Sequence, residues 1–265
     1  MKKIAILLLV VLTSSGSYAQ DEALKFKFDS IIAEADLLYS YEKVAWISTD
    51  IHRGNKKLKK SFGGYIVTHS HDTVTGTFFN ERQTGVTARY YFTTSDLDMP
   101  FKTEIKETPV RPLEAEMLRI KGIIGDQLSN PEYDIRLVEG FDPNFVLIKT
   151  ADGYKLYIIM GSSKSDIIPF GNDYLLIADK EGNITDHKKF HMNIIPAETK
   201  FPDGGVATEI THSHKLTPYI STTDICTFRL YAPFTELKSF KVFCSITDKV
   251  YRYDLETNKI ELSEL

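Results

Sequence analysis

From Phe28 onward apolar residues recur at helical spacing. Phe28, Ile31, Ile32, Ala35, Leu38 and Trp46 mark one stripe, while Asp29, Glu34, Asp36 and Lys43 fill the other face. This predicts a long helix ending near Gly54-Asn55. Segments 65–67, 73–79 and 86–92 are rich in β-branched and aromatic residues with polar turns between them, and they predict strands. The first two make a hairpin with its loop at 68–72. Pro112 opens a second helix, with Glu114 and Glu116 in its first turn and a buried stripe of Leu113, Met117, Ile120, Ile124 and Leu128. Ser129-Asn130-Pro131 ends it. Beyond position 133 the pattern is mostly β: 145–149 with 154–160, 174–178 with 184 onward, then 206–214, 240–246 and 250–255. A short helix at 225–231 is stopped by Pro233. The fold class is α+β, antiparallel-rich sheets with two or three packed helices. The chain reads either as two sections, 20–130 and 131–265 with their weakest junction at Ser129-Asn130-Pro131, or as a single domain over 20–265.

The first residues change the picture of where the protein acts. Lys2 and Lys3 precede an apolar run from Ile4 to Leu12, and Ser17-Tyr18-Ala19 is a small-x-small cleavage signal. Residues 1–19 therefore read as a signal peptide that is removed, giving an exported protein, periplasmic or extracellular. The run is shorter than the roughly 20 apolar residues a membrane-spanning helix needs. No span is expected in the mature chain. The leader carries two lysines and no acid, so its loss takes the formal charge from −4 to −6. An acidic chain of ordinary composition disfavours nucleic acid or an anionic membrane as partner. The basic run Lys56-Lys57-Leu58-Lys59-Lys60 reads as a solvated turn. The two cysteines, Cys226 and Cys244, fall on a helix and the following strand; an oxidising compartment permits a disulfide, and two buried free thiols are the other reading.

Candidate chemistry gathers in Thr211–His214 and the residues after it. In a strand, residues i and i+2 share a face, so His212 and His214 point to one side, and Glu209 to the other. Two imidazoles at a strand end can meet one zinc ion, with Asp224 folding back as a third ligand. Ser221-Thr222-Thr223-Asp224 is equally a helix N-terminal cap. His187 and His191 lie four apart, a spacing that pairs them only in a helix, whereas the preceding turn predicts strand or loop. His52, near a helix end, reads as a favourable charge on the dipole's negative pole. Ser40-x-x-Lys43 reads as a helix surface, and Asn172-Asp173 as a turn entering a strand.

His212-Ser213-His214 followed by Ser221-Thr222-Thr223-Asp224 resembles the JAMM/MPN (JAB) metallopeptidase motif, His-x-His then Ser-x-x-Asp. The resemblance covers about 206–253. It implies zinc held by His212, His214 and Asp224, Ser221 supporting the transition state, and a glutamate activating the zinc-bound water. Six residues separate His214 from Ser221 where the family usually has seven, and Lys215 replaces a usual proline. The strand 156–160 holds no carboxylate. Glu198 and Glu181, in expected loops, and Asp173 are the remaining acids to fill that role. The chain as a whole resembles exported bacterial proteins of unknown function. Two readings follow: a non-catalytic binding or structural protein, or a zinc-dependent hydrolase of amide or isopeptide bonds.

Overall fold

The structure is a computed structural model that describes residues 2–164 and 166–264, with side chains described from position 22. The leader-like segment 1–19 lies outside the residues whose side chains are described. The described residues form three α-helices and four sheets, an α+β architecture. Among the described residues no helix is long and apolar enough to cross a membrane.

Helix α1 (Lys2–Gly54) buries Ile31, Ala35, Leu38, Val44 and Ala45 along one side. That stripe packs on an antiparallel meander of β1 (Tyr65–Ser70), β2 (Thr73–Phe79), β3 (Val86–Thr93) and β4 (Lys102–Thr108). Helix and sheet approach closely at Gly76, where a Cβ would stand 2.6 Å from Ser48 Oγ. The hairpin turn is tighter than the sequence suggested: pairing runs through Ser70↔Thr73, and His71 turns the chain at φ +51°. On the opposite face of the meander, helix α2 (Pro112–Gln127) starts with Glu114 accepting from the Arg111 backbone N–H at 2.7 Å, and it buries Met117, Ile120 and Ile124. These residues belong to a second core with Phe79, Val86, Leu156 and Ile158. Glu114 grips Arg89 through two hydrogen bonds, 2.7 and 2.8 Å, tying α2 to β3.

The second sheet has the order β5 (Phe141–Lys149), β6 (Tyr154–Ser162), β8 (Tyr174–Ala178), β9 (Ile184–Lys189). Its β8–β9 hairpin does not stop at the sheet edge. It bends and continues as a ribbon of β7 (Ile167–Gly171) paired with β10 (Ile194–Glu198). The bend needs Gly171: its φ is +79°, and a Cβ there would sit 2.3 Å from the Asn193 carbonyl oxygen. Asn172 also takes positive φ and donates its backbone N–H to the same carbonyl at 3.0 Å.

The last sheet is β11 (Thr211–His214), β12 (Ser239–Cys244), β13 (Lys249–Asp254) and β14 (Lys259–Ser263). Strands β11 and β12 are parallel, and helix α3 (Thr222–Tyr231) makes the crossover between them. The expected strand 206–214 shrinks to Thr211–His214, because Val206 only bridges Lys200 across a tight turn. Helix α3 packs on α1 and on β7, so the larger core runs from Ile31 to Ile260. Cys226 and Cys244 are both buried and free.

Candidate metal centre

Four side chains converge where the bent hairpin meets the β11–α3 crossover. His191 leaves the bend after β9, His212 and His214 come from β11, and Asp224 comes from the first turn of α3. All four are buried, with at most 8% of their surface exposed. One ligand atom from each lies within 4.8 Å of the others. The Nε2 atoms of His191 and His214 are 2.7 Å apart, and those of His212 and His214 are 3.3 Å apart. Asp224 Oδ1 stands 3.2 Å from the Nε2 of both His191 and His212. Ligands at 2.0–2.2 Å around a tetrahedral zinc are spaced about 3.3 Å from each other. Three of these spacings fit, and the His191–His214 pair is closer.

The neighbours fix which nitrogen faces the centre. His191 Nδ1 is 2.6 Å from Asp173 Oδ1, a carboxylate that only accepts, so Nδ1 carries the proton. His214 Nδ1 is 2.9 Å from the Tyr219 carbonyl, again an acceptor, with the Thr217 hydroxyl at 2.7 Å. With both Nδ1 atoms committed outward, the two Nε2 atoms face each other at 2.7 Å, a contact that needs a proton or a metal cation shared between them. Carboxylate–histidine and carbonyl–histidine contacts of this kind are the usual support of metal-ligating imidazoles. Asp224 Oδ2 accepts from the Ser221 backbone N–H at 2.9 Å and the Ser221 hydroxyl at 2.7 Å. Asp224 Oδ1 is buried and faces only the Nε2 atoms of His191 and His212, each at 3.2 Å. An oxygen held among ring nitrogens in this way suits a cation.

Electrostatics agree. Burial opposes charge on His191, but Asp173 and Asp224 outweigh it and hold its pKa well above the ordinary imidazole value. Burial likewise opposes ionisation of Asp224, yet the three imidazoles hold it well below the usual carboxylate range. For His212 burial prevails and its pKa falls. The pocket thus asks for positive charge at its middle. His212 lies against Phe170, centroids 4.8 Å apart, and stacks on Phe240 at 6.0 Å, while its Nδ1 finds no partner.

His212, His214 and Asp224 meet, and the fourth member, His191, comes from the pair set aside because no helix joins it to His187. His187 is exposed on β9 against the Tyr133 ring. Asp173 faces the centre from one step out, bridging His191 and the Thr223 hydroxyl. Ser221 serves as the N-cap of α3, its Oγ accepting from Asp224 N at 3.0 Å. Glu198 is placed on strand β10 rather than in a loop, exposed and outside the cluster. Glu181 stays in an exposed turn, and Glu209 pairs with Lys241 at 2.8 Å. His52 corrects its expected role. It is 1% exposed, stacked on Phe78 at 4.3 Å, and neither ring nitrogen has a partner; burial lowers its pKa, so it is a neutral core residue and no dipole charge. Ser40 is buried and donates to the Leu37 carbonyl at 2.7 Å. No known family, curated protein or solved structure matches the chain.

Proposed function

We propose that this is an exported zinc-binding protein whose ion is held by His191, His212, His214 and Asp224 as a structural clamp. The reading is carried by one observation: four buried ligand atoms share a point, and the two closest imidazoles have their outer nitrogens committed as donors. Three nitrogens and one oxygen suit zinc, and four protein ligands fill a tetrahedral set as structural sites do. The clamp ties the bent hairpin to the β11–α3 crossover. The leader supports export. The test is metal content of the mature protein purified without chelator or affinity histidines. One equivalent of zinc is expected, with loss in His212→Ala and in His191→Ala. Metal-free protein from a zinc-replete preparation overturns the proposal.

A second reading keeps the metallopeptidase resemblance, with amide or isopeptide hydrolysis as the activity. It is favoured by the strand–loop–helix–strand order and by a hollow of about 230 Å³ lined by Ser221, Thr222 and Tyr219 beside the cluster. It requires a free general base and a ligand position open to water. Asp173 is engaged at both oxygens, and His191 occupies the fourth position. Chelator-sensitive turnover of an isopeptide-linked fluorogenic peptide would favour this reading over the clamp.

A further inference from the structure

Away from the metal centre, a cleft of about 600 Å³ opens between α1, the start of β1, the β5–β6 ends and the end of α3. Glu42, Trp46, Asp50 and Arg53 line it from one helix face, with Tyr65 and Asp142 opposite. Glu42 also lines a small hollow on the inner side shared with Lys121, so it stands in the wall between the two spaces. Only 4% of Glu42 is exposed, and its Oε2 has no hydrogen-bond partner. Lys121 gives incomplete compensation. Its Nζ binds the Tyr65 carbonyl at 3.3 Å and lies 4.9 Å over the Tyr65 ring, and no cation of the described residues stands within ion-pair distance of Glu42. An orphan carboxylate beside a cleft with two further acids and one arginine is unmatched on the negative side. Trp46 adds a ring suited to a cation. It is braced by Tyr231 at 5.4 Å and Phe234 at 6.0 Å.

We propose that this cleft binds a small organic cation, a ligand with an ammonium head on an alkyl body, the head at Glu42 and the body against Trp46. The proposal is independent of the metal reading. Neutral sugars would leave Glu42 Oε2 without a charged partner, and anions would meet Glu42, Asp50 and Asp142.

Trp46 is the one tryptophan in the chain, so its fluorescence reports on this cleft. The full mature protein is titrated with butylammonium and with spermidine, and at matched ionic strength with phosphate and glucose. A saturable change with the ammonium probes is expected, weakened at least tenfold in Glu42→Gln and measurably in Asp50→Asn, with no saturation by phosphate or glucose. The groups facing Glu42 are Lys121, Tyr65, Tyr231 and Cys226. Burial pushes both tyrosines and the thiol up, and Lys121 sits at about 8. Glu42 itself lies at about 7 because burial raises it. Its ionised fraction rises about tenfold between pH 6 and pH 8, and affinity should follow. No saturation with either ammonium probe overturns the proposal, as does equal affinity in Glu42→Gln or Glu42-dependent binding of glucose or phosphate. If Glu42→Gln does not fold, Asp50→Asn, exposed on the helix, decides by the same criterion.

Discussion

Glu42 shows how a single side chain can set the pH dependence of the protein. Its folded pKa of about 7 lies above the 4.5 of a free glutamate. Between those values the native state holds a proton that the unfolded chain has released, so stability falls as pH rises from 4.5 to 7 and is flat beyond. Glu42→Gln removes the effect. Its melting temperature should match the parent near pH 4.5 and exceed it above pH 7, by a stability difference of up to about 3 kcal/mol in denaturant titrations. Asp173 acts through another residue. Asp173→Asn keeps the shape but offers His191 Nδ1 a weaker partner. Metal affinity measured by competition with a chromogenic chelator should fall about 10–100-fold, while the far-ultraviolet circular dichroism stays unchanged. An unchanged affinity would show that His191 is oriented by packing alone.

At the scale of elements, the bent hairpin is the feature that makes the centre. Strands β7 and β10 belong to one sheet plane and β8 and β9 to another, and the residues at the fold, Asp173 and His191, are turned inward there. Gly171→Ala places a Cβ 2.3 Å from the Asn193 carbonyl in a left-handed conformation. It should cost roughly 2–3 kcal/mol, following the usual cost of strained backbone, and weaken zinc binding as well as lower the melting temperature. The aromatic packing behind the ligands is a separate support. Phe240 is fully buried among Phe170, His212, Phe228 and Tyr253. Phe240→Ala should destabilise by about 3–5 kcal/mol in urea denaturation. The local half of the centre was legible in the chain: a two-residue period places His212 and His214 together, and the cap motif places Asp224 at a helix start. His191 was not, because its link to them passes through a change of sheet that no short spacing records. The only trace is Gly171-Asn172, which reads as an ordinary turn. The β11–β12 parallel pairing was equally hidden, since strand order depends on which core faces meet.

For the whole molecule, the two cores answer to different ties. The meander and α2 are held by apolar packing and the Arg89–Glu114 pair. The corner that joins the second and last sheets closes around polar groups, and the proposed cation would supply what burial there costs. Under the proposed clamp, chelation should lower the melting temperature of zinc-loaded protein by the linkage free energy, about 2.7 kcal/mol where free zinc stands at a hundred times its dissociation constant. Hydrogen exchange should speed up in β11, the first turn of α3 and the β7–β10 ribbon, and not in β1–β4. Uniform loss of protection across both regions would contradict a local clamp. The alternation of helical and two-residue periods made the α+β class readable, because each element buries a single face. Which elements adjoin was not, because long-range contacts leave no mark in local spacing.

His191 and Asp224 are separated by 33 positions, and only His212 and His214 are near neighbours in the chain. A newly extended polypeptide therefore offers an ion a two-pronged grip at best, and the tight one appears once the hairpin has folded over the crossover helix. Under the proposed clamp, loading is a late, sealing event. The residence time of an ion so held should follow the interval between spontaneous openings of that corner, and isotope exchange of zinc would time that motion.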